Sequence, residues 1–420
     1  MRYIGIIILL VLCLTLLLLT GCVTNTITPE IASGNLENQE DINQSINNSQ
    51  NLSISPIYEP VIEEPVIEEP GTVYPQKWAT GTGTVGDPWA NDCIQKAYDF
   101  MPAGGTIFLR AGYYQLADKI EITKQINIFG EGRDRTIIRT ANAYGIMIET
   151  DYVSLKGFTV DGNAQTDDYT YNCCIRIGDC NYALLEDIEV MNAGVLGINI
   201  YQVNHSTFQN IYAHDNYSHG LHPGADEIGW NKYNTYRDIY AWNNGGLGFA
   251  DRGTTTTPEE ANNVYDNIQC WNNGFFGIEI ANQKGGVLSN SLASGNTSIG
   301  ISLLGLEDFN INNCLVTLNG VNEAQAIFLK SSENINLTNI IVKNNYTGIG
   351  IEDCSNIALT SCQSYDDRET PLQRYGLQLT ETDTDISLLN CKLTPNSLGE
   401  IYNSAGVVVT VITEKMLAKF

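Results

Sequence analysis

A chain of 420 residues with 48 acidic and 22 basic side chains carries a formal net charge of −26, which disfavours nucleic acid and anionic membrane surfaces as partners. Hydrophobic residues make up 43%, ample for a core, and the length alone would allow two or three domains. Eleven cysteines without a Cys-x-x-Cys pair argue against a zinc site.

Residues 1–22 read as a targeting segment. One Arg precedes an almost unbroken apolar run from Ile4 to Leu19. The run ends in Leu19-Thr20-Gly21-Cys22, which resembles the lipobox of lipoprotein signal peptides. The resemblance implies cleavage before Cys22 and lipid attachment at its thiol. The run also approaches spanning length, so an uncleaved transmembrane anchor is the competing reading. Both readings place the remainder outside the cytoplasm and tethered to a membrane. Residues 23–80 follow as a linker rich in Pro, Asn, Ser and Glu. Through residue 76 it holds nine acids and no Lys or Arg, so it cannot bury enough apolar surface to fold.

The remaining residues, 81–420, read as one domain. Between Asp87 and Met101, Ile94, Ala97, Tyr98 and Met101 share one helical face, and Pro102-Ala103-Gly104-Gly105 ends the pattern. This predicts a short capping helix ahead of a first strand at Thr106–Leu109. From about residue 145 two phrases alternate. One is small-apolar-any-apolar, as in Gly197-Ile198-Asn199-Ile200 and Gly277-Ile278-Glu279-Ile280. The other is Asn or Asp followed by Ile or Cys, as in Asn210-Ile211 and Asn267-Ile268. Apolar residues alternate at period two within each phrase, so each is a short strand. The links are too short for ordinary crossovers. Winding one turn per repeat, about 23 residues, then gives a parallel β-helix. Asn216, Asn244, Asn273, Asn296, Asn319 and Asn345 align in one turn column, where Asn tolerates left-handed backbone and can bond to its neighbours. Cys314, Cys362 and Cys391 take the place held elsewhere by Ile188 or Ile211, as small buried hydrophobes.

The opening from Asp87-Pro88-Trp89 through Gly105-Thr106-Ile107 to Ile126-Asn127-Ile128-Phe129-Gly130-Glu131-Gly132 resembles the entry of the pectate-lyase-like right-handed β-helix superfamily. The resemblance covers about residues 81–410 and implies right-handed winding. It leaves the chemistry open, because one fold hosts many activities.

Alternation also assigns faces. Between the inward Ile positions, an outward column reads Arg176, Asn199, His222, Ala250, Glu279, Ser302. Two residues on, a second reads Gly178, Tyr201, Gly224, Arg252, Ala281. Column neighbours lie about 4.8 Å apart, so Asn199, Tyr201, His222, Arg252 and Glu279 form one patch. The step between phrases is 13 residues in most coils, but 18 at Gly220 and 19 at Gly248. The surplus predicts two loops beside the patch, Pro223–Asn234 and Asp251–Asn263. They carry Asp226, Glu227, Trp230, Lys232, Glu259 and Glu260.

His222, on an exposed strand, could serve as acid or base; a turn His bonded to backbone is the plainer reading. His219 shares its phase with Leu196, Leu247 and Phe276, which predicts a buried, hydrogen-bonded ring. Asp251 falls in the inward column with Ile200 and Ile280. A carboxylate there is costly unless partnered, so a bulge at the start of the loop is the simpler expectation, and retention for function the other. Asp226, Glu227 and Glu259 could offer oxygen ligands to Ca²⁺, although neither loop has the spacing of a calcium motif. A further outward column reads Met191, His214, Trp242, Trp271, Ser294. Its Trp pair could stack on sugar rings or on each other.

Ser218-His219-Gly220-Leu221-His222-Pro223-Gly224 stands where mannuronan C5-epimerases carry Tyr-Gly-Phe-Asp-Pro-His, and it resembles that motif at Gly220 and Pro223 only. The catalytic assignment of that family does not transfer to these residues. The expectation is a monomeric, membrane-tethered, extracytoplasmic β-helix that binds or processes a polysaccharide, as a uronate lyase or C5-epimerase. His222 would act as base or acid, with Arg252 on the carboxylate and Glu279, Asp251 or His219 assisting. Asn199, Tyr201, Trp230, Lys232, Trp242 and Trp271 would contact the glycan. Ca²⁺ is the one candidate cofactor. The alternative is a non-catalytic cell-surface or adhesin-type module.

Overall fold

A computed structural model of the protein describes residues 71–412, apart from 91, 141–143, 164–171, 225–230, 254–257, 321–323, 381 and 404–405. The targeting segment, Cys22 and most of the linker lie outside the described residues. The first strand is Thr72–Val73, within the segment read as linker, and it pairs with Thr106–Ile107. The capping helix is Cys93–Phe100, with Ile94, Ala97 and Tyr98 buried on the expected face.

The rest is a parallel β-solenoid. Small-apolar phrases stack into a 12-stranded sheet, one strand per turn, and the second phrases build a 20-stranded sheet. The register is that of the sequence columns: Ile198 pairs with Ile175 on one side and Leu221 on the other. Ile175, Ile198, Leu221, Phe249 and Ile278 are all fully buried. Stacked Ile, Leu and Phe therefore supply a continuous apolar core along the axis.

The corners follow from residues that accept left-handed backbone. Asp187, Asn210, Asp238, Asn267 and Asn290 all have φ between 53° and 58° and recur once per turn. The Asn column plays a different part from the one expected. In each of three coils the left-handed residue is the one before it, Asp215, Asn243 and Asn272. Asn216, Asn244 and Asn273 themselves are buried. Each amide carbonyl accepts from the backbone N–H and the side-chain amide of the previous rung, as at Asn216→Asn244 (3.2 and 2.9 Å) and Asn244→Asn273 (3.1 and 3.0 Å). The ladder continues through Asn296, Asn319 and Asn345, and Gln373 takes the next rung. The nine cysteines among the described residues are free thiols; Cys314 and Cys362 are buried in the expected column, and Cys391 is half-buried.

Candidate active site

The outward column predicted around His222 exists. Arg176, Asn199 and His222 are register partners across three strands of the 12-stranded sheet. Ala250, Glu279 and Ser302 are partners across three more. The Leu221–Phe249 pair joins the two sets. Their surroundings differ from expectation, because the column is not exposed. Asn199 is 4% exposed, His222 7%, Glu279 4% and Ser302 1%. Three of these side chains also have a buried polar atom with no hydrogen-bond partner: Asn199 Oδ1, His222 Nδ1 and Ser302 Oγ. Buried polar atoms are paired in folded proteins with few exceptions, and this one column holds three of the six unpartnered ones among the described residues.

Burial pushes the His222 imidazole down to about 3, helped by His219 and by the Arg252 charge. Its ring lies 5.2 Å from that of His219, at 41°. His219 is hydrogen-bonded as predicted but only half-buried. The Leu247 N–H donates to its Nδ1 (3.1 Å), so the ring proton sits on Nε2. Burial, then the Arg252 charge, lowers its pKa to about 4. Both rings are neutral at neutral pH.

Arg252 is not a free cation. Its Nε donates to Glu279 Oε1 (2.7 Å) and its Nη2 to Glu279 Oε2 (3.1 Å), a fork-to-fork pair. Glu279 is nearly closed to solvent, while the Arg252 side chain is 38% exposed. Glu279 therefore positions Arg252 and leaves the other edge of the guanidinium outward. At the opposite end of the column the Arg176 guanidinium sits over the Tyr201 ring, 4.6 Å from its centroid. Tyr201 lies across Gly178, where any side chain would collide with its ring. Arg176 and Ser302 stand in the columns read from sequence but were not singled out; nothing in alternation shows which outward residues are orphaned or seated on a ring.

The other expected members lie elsewhere. Asp251 pairs in regular register with Ile280, so the strand Phe249–Arg252 does not bulge. Its carboxylate points inward and is 1% exposed, on the face opposite His222. The Tyr265 hydroxyl lies 2.6 Å from Asp251 Oδ2, and Asn263 Nδ2 donates to the same oxygen (3.3 Å). Trp242 and Trp271 belong to the other sheet. Their rings stack 5.0 Å apart at 3°, and His214 covers the second face of Trp242 at 4.2 Å. No face of Trp242 is open to a sugar, so its stacking serves the coils. Lys232 pairs with Glu259 at 3.4 Å, and Glu259 opens the strand Glu259–Trp271 rather than sitting in a loop. Asp226, Glu227 and Trp230 lie outside the described residues. Among the described residues, no group of three or more His, Cys, Asp or Glu could hold a metal ion.

Comparison with known proteins decides the family. The profile described as "Pel9A-like, right handed beta helix region" matches residues 72–303, more than half of the chain. The chain belongs to this Pel9A-like right-handed β-helix family. A second profile, "Right handed beta helix region", matches residues 260–413. Pectate lyase PEL9 of Emericella nidulans is 28% identical over 139 residues, 33% of this chain and 32% of the relative. The chain thus matches about a third of that relative's length. Among solved structures, the A-module of mannuronan C-5 epimerase AlgE4 from Azotobacter vinelandii superposes with a TM-score of 0.67 at 17% identity, over 81% of this chain and 99% of the module. The AlgE6 A-module from the same organism gives 0.62 at 15%, over 81% and 98%. The Agl-KA catalytic domain gives 0.57 at 15%, over 84% and 70%. At these identities the likeness is one of fold.

Proposed function

We propose that this protein processes an acidic polysaccharide by removing the C5 proton of a uronate unit at the His222 column. The observation that carries the reading is the set of three buried, unpartnered polar atoms beside a half-exposed arginine. The names of two relatives support the substrate class: one is a pectate lyase and one a mannuronan C-5 epimerase. Elimination and C5 epimerisation of a uronate begin with the same proton.

The outward edge of Arg252 receives the uronate carboxylate, with Glu279 fixing the guanidinium from behind. Neutralising that carboxylate acidifies the adjacent C5–H. His222, in the tautomer with Nε2 protonated, presents the Nδ1 lone pair and accepts the proton. The charge of Arg252 is one of the causes of the low His222 pKa. A carboxylate on Arg252 offsets that charge, so His222 becomes more basic when substrate binds. Asn199 Oδ1 and Ser302 Oγ take hydroxyl hydrogen bonds from the sugars. These atoms are closed to water in the free protein, so substrate entry opens the column. In epimerisation a proton from water then adds to the opposite face of C5; in elimination the C4–O bond breaks, O4 leaves with the bonding pair and takes a proton, and an unsaturated uronate remains.

The test is turnover by the soluble domain on pectate, alginate and a neutral glucan. Product is expected from an acidic polymer only, to fall at least about 100-fold in His222→Ala, and to persist in Trp242→Ala. Turnover unchanged in His222→Ala, or equal turnover of the glucan, would remove the proposal.

We also propose that Cys22 carries a lipid that tethers the domain outside the cytoplasm, on the strength of Leu19-Thr20-Gly21-Cys22. Cys22→Ser is expected to move the protein from the membrane fraction to the soluble one. Retention in the membrane fraction would favour an uncleaved anchor.

A further inference from the structure

We infer that Arg176 is a second carboxylate receptor, so the site reads two uronates of one chain rather than a single sugar. The inference rests on the uronate reading of the His222 column and extends it along the axis of the solenoid.

Arg176 is the register partner of Asn199, and Asn199 of His222. His222 lies beside Ala250 through the Leu221–Phe249 pair, and Arg252 is two residues further along that strand. The two arginines are thus three rungs apart on the same face, about 14 Å along the axis. Asn199 Oδ1 and His222 Nδ1, both buried and unpartnered, lie between them. A pyranose in an extended chain advances by about one rung. A uronate on Arg252 therefore puts the uronate three units along beside Arg176, with the sugars between them over Asn199 and His222.

Arg176 is built as a receptor. Most described arginines face a carboxylate, including Arg133, Arg139, Arg237, Arg252 and Arg368. Arg176, like Arg110 and Arg374, rests on a tyrosine ring instead, and the position of its ring, Tyr201, depends on the absence of a side chain at Gly178. An aromatic seat orients a guanidinium without neutralising it and leaves its donor edges for an anion. In a protein with 48 acids and 22 bases, a cation held in this way at the head of a column of unpartnered polar atoms points to an anionic ligand.

The experiment is calorimetric binding of galacturonate and mannuronate oligomers of two to six units to the wild-type domain, Arg176→Gln, Arg176→Lys and Tyr201→Leu. Each variant is first checked by circular dichroism for the β-helix spectrum. Wild-type affinity is expected to step up once the oligomer reaches four units. Arg176→Gln is expected to lose about tenfold for four units and longer and to leave dimers unchanged. Arg176→Lys, which keeps the charge, should recover part of the loss, and Tyr201→Leu should lose less than Arg176→Gln. Equal effects on dimers and tetramers, or no effect of Arg176→Gln on tetramers that the wild type binds, would overturn the inference and leave the His222 reading standing. Failure of the wild type to bind any uronate oligomer would overturn both.

Discussion

His222 and Asp251 show how differently two buried polar residues on neighbouring strands can be resolved. His222 faces outward and keeps an unpartnered nitrogen; Asp251 faces inward and is met by Tyr265 and Asn263. Burial pushes the Asp251 carboxyl up to about 7, only partly offset by hydrogen bonds from Tyr265 and Gln283. The geometry suits the protonated form. The Tyr265 hydroxyl lies 2.6 Å from Asp251 Oδ2 and 2.9 Å from Gln283 Oε1, with one proton for two acceptors. A proton on Asp251 fills both contacts. The folded state then holds a proton up to about pH 7 that the unfolded chain releases near 4. Stability is full below that lower value, falls as pH rises toward 7, and levels off above it. The loss is of the order of a few kcal/mol. Denaturant unfolding across this range should show the decline in the wild type and a flatter profile in Asp251→Asn; parallel profiles would rule out Asp251 as its source. The phase of Asp251 in the repeat pointed inward, but the cost of burying a carboxylate made a bulge the simpler expectation. Its partners were not legible, because Tyr265 and Gln283 reach it from other strands.

At the scale of the element, the Asn ladder is the feature whose sequence signal divided between two readings. Pairs such as Asp215-Asn216, Asn243-Asn244 and Asn272-Asn273 offer two adjacent residues that both tolerate left-handed backbone. Sequence alone does not tell which one turns the corner and which bonds inside. The structure gives the corner to the first, with φ of 53° at Asn243, and the buried ladder to the second. Substitutions should separate them. Asn244→Ala strands the backbone N–H and the side-chain amide of Asn216, removes one donor each from the Ala213 carbonyl and Asn273 Oδ1, and should cost roughly 3 kcal/mol in denaturant unfolding. Asn243→Gly, at an exposed corner, should be within about 0.5 kcal/mol of wild type. A reversed order would place the structural burden on the corner instead. The outward Trp pair was also ambiguous, since alternation gives the face of a side chain but not whether a neighbour already covers its ring.

At the scale of the whole molecule, the described residues form a parallel β-solenoid whose coils vary in length, and two adjacent ones are lengthened after the His222 and Ala250 strands. Ladder partners are 23 residues apart at Ala193–Asn216 and Asn273–Asn296, but 28 and 29 apart at Asn216–Asn244 and Asn244–Asn273. The core columns and the Asn ladder run through these coils unbroken, so the surplus residues leave the scaffold intact. His219, His222 and Arg252 belong to these long coils, while Asn199 and Ser302 lie on strands to either side of them. The period, the parallel winding and the register of the column around His222 were therefore readable from residue spacing. Its closure to water was not, because burial depends on what lies over a column and not on the column itself.

The central claim is that His222 takes a proton from C5 of a uronate. Hydrogen–deuterium exchange at C5 tests it most directly, because elimination and epimerisation both pass through that step. Pectate and alginate would be incubated with the soluble domain in deuterated buffer, and the H5 resonance or its product followed by proton NMR. The account predicts loss of the H5 signal from one of these polymers with the wild type and an unchanged signal with His222→Gln. Retention of H5 in every uronate polymer that the wild type binds, or loss at the same rate with His222→Gln, would contradict it.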